Sequence, residues 1–419
     1  MKAEYIRFIS PVVFVGLLWL VYLLSFIPSP IGWHANVNLD LRYFSLVVIY
    51  TVSFILGAAI CLYKPQKGLG SFDFNDNAIS KAPDQRVKKV TKRFYALYFV
   101  SSLFVLAKLM KLGGASLFAE DRLLRSLGSG FGGVVDYPAN LVTPLGLAAI
   151  ALYMVTRKKS LLLFAVISFL LQLVQLNRQE AFVCLLGAGI VYFAYSKIKI
   201  SSLLVIVILA LFSLYFVVGG LAIIRYGHQN ISQNLTLAEL PLWIAHANLT
   251  GSMRFTHDVL DMVGAGGFNG LYTLGVFYSI IDPSADMHGA EMVRVMFTSA
   301  ATAQSVSAPL SYYMDGGYFY LIVVGFLQGF IAKFLWANAY ISRSLLWVII
   351  AVLHFFWLLW SLRSGALSIN PIFLYQTAAI LFVFYGFRAP KKFSMVSVAA
   401  ISLFLLSLPI SLVVMLMRL

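Results

Sequence analysis

The stretch Ser160–Tyr195, SLLLFAVISFLLQLVQLNRQEAFVCLLGAGIVYFAY, decides the fold. Two apolar runs without a single charge flank one polar corner, Asn177-Arg178-Gln179-Glu180. Each run predicts a membrane helix of about sixteen residues, which reaches only ~24 Å at 1.5 Å per residue. The hydrocarbon core of a bilayer is ~30 Å thick. The corner is therefore expected slightly below the membrane surface, shielded by protein. Polar groups at that depth are costly, which makes them functional candidates by default. The structural alternative is an Arg178–Glu180 pair that caps a helical hairpin.

The rest of the chain reads the same way. Its 419 residues are 61% hydrophobic and 11% charged, with a mean hydropathy of +0.87. Soluble domains are about half apolar and about a quarter charged. Apolar runs predict eleven spans, near 8–27, 42–63, 94–112, 141–156, 160–176, 181–196, 202–224, 318–338, 345–362, 371–387 and 394–416. The expected fold is an all-α polytopic membrane protein of ten to twelve transmembrane helices, a single integral membrane domain over 1–419. Lys2 and Arg7 precede the first apolar run without a small-residue cleavage pattern after it, so that run reads as a retained span. Cys61 and Cys184 both lie in apolar runs, which argues against a disulfide framework or a thiolate metal site.

Charge orients the map. With the N-terminus inside, the cytoplasmic loops hold 19 of the 31 Lys and Arg residues, and twelve of the sixteen acids fall outside. This is the positive-inside asymmetry expected of a multi-pass membrane protein. The kind of base divides as well. Fourteen of sixteen lysines are inside, while nine of fifteen arginines are outside: Arg42, Arg122, Arg125, Arg178, Arg225, Arg254, Arg294, Arg363 and Arg418. Lysine suffices to anchor a loop, whereas the arginine fork grips phosphate at two points. The cytoplasmic loop 64–93, with eight basic residues and three acids, reads as a contact for anionic lipid.

The largest hydrophilic element is outside, residues 225–317, with three arginines, no lysine and seven acids. Half-apolar stretches within it, Leu235–Ala247 and Met292–Ala301, predict short helices lying in the interface rather than a soluble globule. Residues 115–127 predict a further interfacial helix, with Leu117, Leu124 and Leu127 on one face. His354 lies in the middle of a span and reads as a packed histidine. No nucleotide-binding loop, HExxH, CxxC pair or Asp-rich sugar-nucleotide motif is present. Neither a soluble nucleotide-sugar donor nor nucleic acid is expected, and no cofactor or metal.

Arg178 is followed after ten residues by Gly189, and Asp315-Gly-Gly-Tyr-Phe-Tyr-Leu-Ile-Val-Val-Gly-Phe-Leu-Gln-Gly329 opens the span after the large loop. With this topology, those features make the chain resemble the bacterial O-antigen or oligosaccharide repeat-unit polymerases (Wzy-type). The Arg178–Gly189 spacing is similar to the Arg-x10-Gly pattern of their periplasmic loops, although the large loop has no clear second copy. The resemblance implies a periplasmic glycosyltransferase. It would move a growing glycan from its undecaprenyl-diphosphate carrier onto a new lipid-linked repeat unit. The implied partners are these lipid-linked oligosaccharides and membrane lipids, with a chain-length regulator protein as the open question. An O-antigen ligase or a lipid-linked oligosaccharide flippase would share much of this topology.

The residues fit that chemistry. A departing diphosphate gains negative charge, which arginines stabilise where water is scarce. Arg178, Arg225, Arg254, Arg294 and Arg363 are the candidates for that role. The acceptor hydroxyl needs a base, and Glu180, His257, Asp258 and Asp315 are the candidates. Helical spacing would put Arg254 on one face with His257 or Asp258.

Overall fold

The computed structural model describes residues 10–24, 40–61, 84–112, 114, 136–175, 177–195, 208, 212–226, 239, 260–275, 306–342, 345–361, 367, 369–384 and 395–418. Among these the regular structure is helical throughout, with no strand. The main elements are α1 (Pro11–Leu24), α2 (Leu41–Ile60), α3 (Asp84–Lys111), α4 (Tyr137–Asn140), α5 (Val142–Thr156), α6 (Ser160–Val174), α7 (Arg178–Phe182), α8 (Ala188–Tyr195), α9 (Leu221–Tyr226), α10 (Ala308–Ser342), α11 (Leu345–Trp360), α12 (Pro371–Phe384) and α13 (Met395–Arg418). A π-helical turn, Val183–Gly187, joins α7 to α8, and a second, Ser213–Gly220, leads into α9.

Among the described residues, four helical stretches are long and apolar enough to cross a bilayer: Leu41–Ile60, Val87–Lys111, Tyr137–Thr156 and Ala308–Ala339. Shorter apolar helices, among them Ser160–Val174, Leu345–Trp360 and Pro371–Phe384, pack between them. The outward faces are as apolar as the core. Phe319, Ile322, Val323, Leu327 and Phe330 form an exposed stripe along α10, with Phe319 80% exposed. Leu403, Leu406, Ile410, Val413 and Leu416 do the same on α13. Water would not tolerate such contiguous faces, whereas lipid does. The chain is a helical membrane protein.

In such a bundle the helices are held by close packing and buried hydrogen bonds, because lipid is as apolar as leucine. α5 shows the first device. Its sequence VTPLGLAAIALYMVT is apolar on every side, and all but Tyr153 and Thr156 of its residues are buried. It is the axial helix of the larger core, wrapped by α3, α6, α8, α11 and α12. At its end Arg157 takes the left-handed conformation, φ 57°, and the exposed Arg157-Lys158-Lys159 reverses the chain into α6.

The second core is built where α10 lies against α2. Gly57, Gly325 and Gly329 make this possible. A methyl group built on Gly57 would overlap the Phe326 carbonyl, and one on Gly329 would overlap the Phe54 carbonyl. Gly325-x-x-x-Gly329 is thus a small-residue contact that brings two backbones together. A buried chain of polar groups crosses the same interface. Tyr50 Oη donates to Gln328 Oε1 at 2.6 Å, and Gln328 Nε2 donates to Tyr312 Oη at 2.8 Å.

Two boundaries differ from the sequence reading. α3 begins at Asp84, so the last part of the basic segment 64–93 is a helical extension of the following span. Val87, Val90 and Phe94 pack this extension onto the main core, while Lys88, Lys89 and Lys92 are exposed. α10 begins at Ala308, within the segment assigned to the large loop. A helix of its length would run ~50 Å, more than a bilayer needs, and it is broken at Gly316-Gly317. Gly317, at φ 65° and ψ −160°, occupies a region open essentially to glycine alone.

Candidate functional site

Of the nine residues that the sequence singles out, two have described side chains, Asp315 and Glu180. Asp315 ends the short helical segment before the Gly316–Gly317 break and is 3% exposed. Its Oδ1 accepts from the Tyr272 backbone N–H at 2.9 Å, and its Oδ2 accepts from the Thr273 N–H at 2.8 Å. The carboxylate therefore caps the N-terminus of the short helix at 271–275, where unpaired N–H groups favour an anion. The segment is tied down further by backbone bonds. Gly266, Phe268 and Gly270 donate to the carbonyls of Tyr313, Met314 and Asp315 at 3.0–3.1 Å. Tyr272 Oη accepts from Val306 N at 3.0 Å, and the Thr273 and Tyr320 hydroxyls share a hydrogen bond of 2.8 Å. Arg42 reaches Asp261 and Asp40, both at 2.7 Å, which links the same segment to the start of α2. Residues 260–275 thus form a plug over the ends of α2 and α10, with Asp315 as its central fastener.

Glu180 lies at the corner between α6 and α7. The corner closes tightly: Asn177 N donates to the Gln172 carbonyl at 3.0 Å, Ala181 N donates to the Asn177 carbonyl at 3.0 Å, and Asn177 Oδ1 caps Glu180 N at 3.5 Å. Glu180 is half-buried, and its carboxyl group is turned to Thr143 of α5, with which it hydrogen bonds. Gln172 of α6 reaches the same hydroxyl, its Nε2 donating to Thr143 Oγ1 at 3.1 Å. The Cys184 thiol, one helical turn beyond Glu180, is the third group on that hydroxyl. Loss of water around a carboxyl group raises its proton affinity, and a hydroxyl donor lowers it again. A carboxyl group held between these two effects is suited to take a proton.

Gly146 lets this polar seam form. A methyl group at that position would press on Ser168 Cβ at 2.9 Å and Oγ at 3.0 Å, and Cys184 Sγ lies 4.0 Å away. Ser168 in turn shares a hydrogen bond of 3.1 Å with Tyr98 of α3. A line of hydroxyl, amide, thiol and carboxyl groups thus runs between α3, α5, α6 and α7.

The backbones of Arg178 and Arg225 are described, and their side chains lie outside the described residues. Arg178 opens α7, which packs against the π-helical turn Ser213–Gly220, and that turn continues into the helix that carries Arg225. The helices that carry the two arginines therefore both meet the same π-helical turn. Arg254, His257, Asp258, Arg294 and Arg363 lie outside the described residues, as do the interfacial helices expected at 115–127, 235–247 and 292–301. Asp315 and Glu180 belong to different parts of the bundle, the first with the α2–α10 core and the second with the α5 core.

Sequence reasoning passed over Thr143, Gln172 and the Arg42–Asp261 link. The two polar residues inside otherwise apolar runs were the available signal for the seam. Nothing in the local sequence announces a link between positions 219 residues apart. No family model, curated protein or solved structure matches the chain.

Proposed function

We propose that this chain is a multi-pass glycosyltransferase that polymerises oligosaccharide repeat units carried on undecaprenyl diphosphate. In this reading eleven spans cross the bacterial inner membrane, the N-terminus is cytoplasmic and the active site faces the periplasm. The observation that carries the reading is Glu180: a half-buried carboxyl group, two residues from Arg178 at the corner of two short membrane helices.

The reaction follows from those groups. Glu180 takes the proton of an acceptor hydroxyl on the incoming repeat unit. The hydroxyl oxygen attacks the anomeric carbon of the growing glycan. The bond from that carbon to the diphosphate oxygen breaks, and its electron pair leaves with the lipid diphosphate. Arg178 and Arg225, on helices that both meet the π-helical turn Ser213–Gly220, meet the charge gathered on the leaving diphosphate. The proton passes from Glu180 to water or to the released diphosphate, which restores the base.

The test is the length of surface glycan in a strain that lacks this gene and in the same strain complemented. A single repeat without the gene and a ladder of repeats with it are the expected results. Normal-length polymer that stays on its lipid carrier would make the protein a ligase. Repeat units confined to the cytoplasmic leaflet would make it a flippase.

A further inference from the structure

α3 and α6 run side by side in the same direction, and their contacts fix a register. Tyr98 Oη donates to the Phe164 carbonyl at 3.0 Å and lies 3.1 Å from Ser168 Oγ. The Phe94 and Tyr98 rings pack edge-on against Phe164, with centroids 5.8 and 4.8 Å apart. Further along, Leu171 packs on the cluster that holds Phe104 and Val105. Tyr98 and Ser168 are 70 residues apart, as are Phe94 and Phe164. The Lys158 and Lys159 carbonyls accept from Leu161 and Leu162 at 3.1 and 3.0 Å, so these two lysines continue the first turn of α6. The same offset therefore sets Lys88 and Lys89 level with Lys158 and Lys159.

Two basic segments, far apart in sequence, thus share one end of the bundle. The first ten residues of α3, DQRVKKVTKR, hold five basic residues against Asp84 alone. Lys88, Lys89 and Lys92 are exposed, and so is the whole Arg157-Lys158-Lys159 corner. The neighbouring acids Asp136 and Glu180 sit at the opposite ends of α5 and α6. Arg157 holds a left-handed conformation, φ 57°, at a helix end where glycine would serve the turn at less cost. Below the charges the same helical faces turn apolar. On α3, Lys92 is followed at helical spacing by exposed Phe99, Leu103 and Leu106; on α6, Lys159 is followed by exposed Leu163, Val166 and Leu170.

We propose that the start of α3 and the α5–α6 corner form one binding site for the headgroup of an anionic phospholipid, whose acyl chains lie along the two apolar stripes. A cationic band that continues directly into a lipid-facing surface matches both halves of such a molecule, and lysine stems reach from the apolar stripe to the phosphate. A soluble acidic partner would meet only the charged half. The inference goes beyond the glycosyltransferase reading and does not depend on it.

The test uses the full chain purified in detergent and titrated with phosphatidylglycerol or phosphatidylcholine, with retained lipid counted by native mass spectrometry. The wild type should hold phosphatidylglycerol in preference to phosphatidylcholine. Each basic residue near an anionic headgroup is worth about fivefold in affinity. The pair Lys89→Gln with Lys92→Gln should therefore weaken phosphatidylglycerol binding by about thirtyfold, and Lys158→Gln with Lys159→Gln should do the same. Lys108→Gln with Lys111→Gln removes equal charge from the opposite end of α3 and should leave retention unchanged. Arg157→Gly relieves the backbone, so it should keep the melting temperature and still lose about fivefold in affinity. No preference between the two lipids overturns the proposal, as does an equal loss in the Lys108 and Lys111 control. A loss confined to one of the two test pairs also overturns it, because the level placement would then make no shared site. Displacement of the lipid by soluble poly-glutamate at matched charge would assign the patch to an acidic protein instead.

Discussion

The substitution Asp315→Asn separates a fastener from a base. Both carboxylate oxygens of Asp315 hold backbone donors, Tyr272 N at 2.9 Å and Thr273 N at 2.8 Å, and the residue is 3% exposed. Asparagine keeps the shape and one acceptor, but turns an N–H group toward the other backbone donor. A hydrogen bond to a charged group contributes about 1.5–3 kcal/mol. Losing one of the pair should therefore favour local opening of the plug by about tenfold to a hundredfold. Asp315→Ala loses both, and its opening should exceed a hundredfold on the same scale. The bonds from Gly266 and Phe268 to Tyr313 and Met314 survive in either variant, so the effect stays local. Hydrogen exchange of the peptide Gly264–Gly275 in nanodiscs reads it directly, since local opening sets the exchange rate of those amides. Unchanged exchange in Asp315→Ala, with polymerisation lost, would refute the fastener and return Asp315 to the list of bases.

Four further outcomes follow from other parts of the molecule. Gly57→Val places a side chain on the Phe326 carbonyl, where the obstacle is backbone and cannot rotate away. It should lower the detergent-solubilised melting temperature by more than an ordinary overpacking substitution, which costs about 1–3 kcal/mol. Gln328→Leu takes one partner from each of the Tyr50 and Tyr312 hydroxyls, and adding Tyr50→Phe should recover part of the loss; additive melting shifts in the double variant would refute a shared network. Glu180→Gln removes the base and keeps the size of the side chain, so the surface glycan should fall to a single repeat; an undiminished ladder would exclude Glu180 as the base. Arg178→Lys keeps the charge but not the two-point fork, so most polymerisation should be lost in the glycan ladder while membrane levels of the protein stay normal.

How far the sequence led depends on which physical signal each feature leaves. Apolar runs of span length fixed the helices, because the bilayer imposes one requirement on every span at once: internal hydrogen bonding and an apolar surface. Val142–Thr156 could be read as a helix from composition, but not as the axial one, since a lipid-facing run and a buried run are equally apolar; its small residues were the only hint. The boundaries that slipped, at Asp84 and Ala308, are those where a helix continues past the membrane and hydropathy no longer reports it. Asp315-Gly-Gly was recognised as a distinctive start to its span, and the glycine conformation explains why: only glycine accommodates the Gly317 backbone. What the adjacent carboxylate does there was beyond reach, because its partners arrive from Tyr272 and Thr273, 43 and 42 residues earlier.

Glu180 shows the opposite case. Depth arithmetic on two short runs identified the corner, yet the same arithmetic gave no reason to prefer a base over a self-satisfied ion pair. The preference comes from Thr143, which belongs to a helix two elements upstream and meets Glu180 only because Gly146 and the neighbouring alanines let α5 pass close to α6 and α7. A lone carboxyl group at this depth would be held neutral by burial and would be idle as a base. A carboxyl group given one hydroxyl donor has its charged form favoured again. The small-residue seam of α5 and the reactivity of Glu180 are therefore one feature: enlarging Gly146 should separate the helices and release Glu180 from Thr143, without any change to a polar residue.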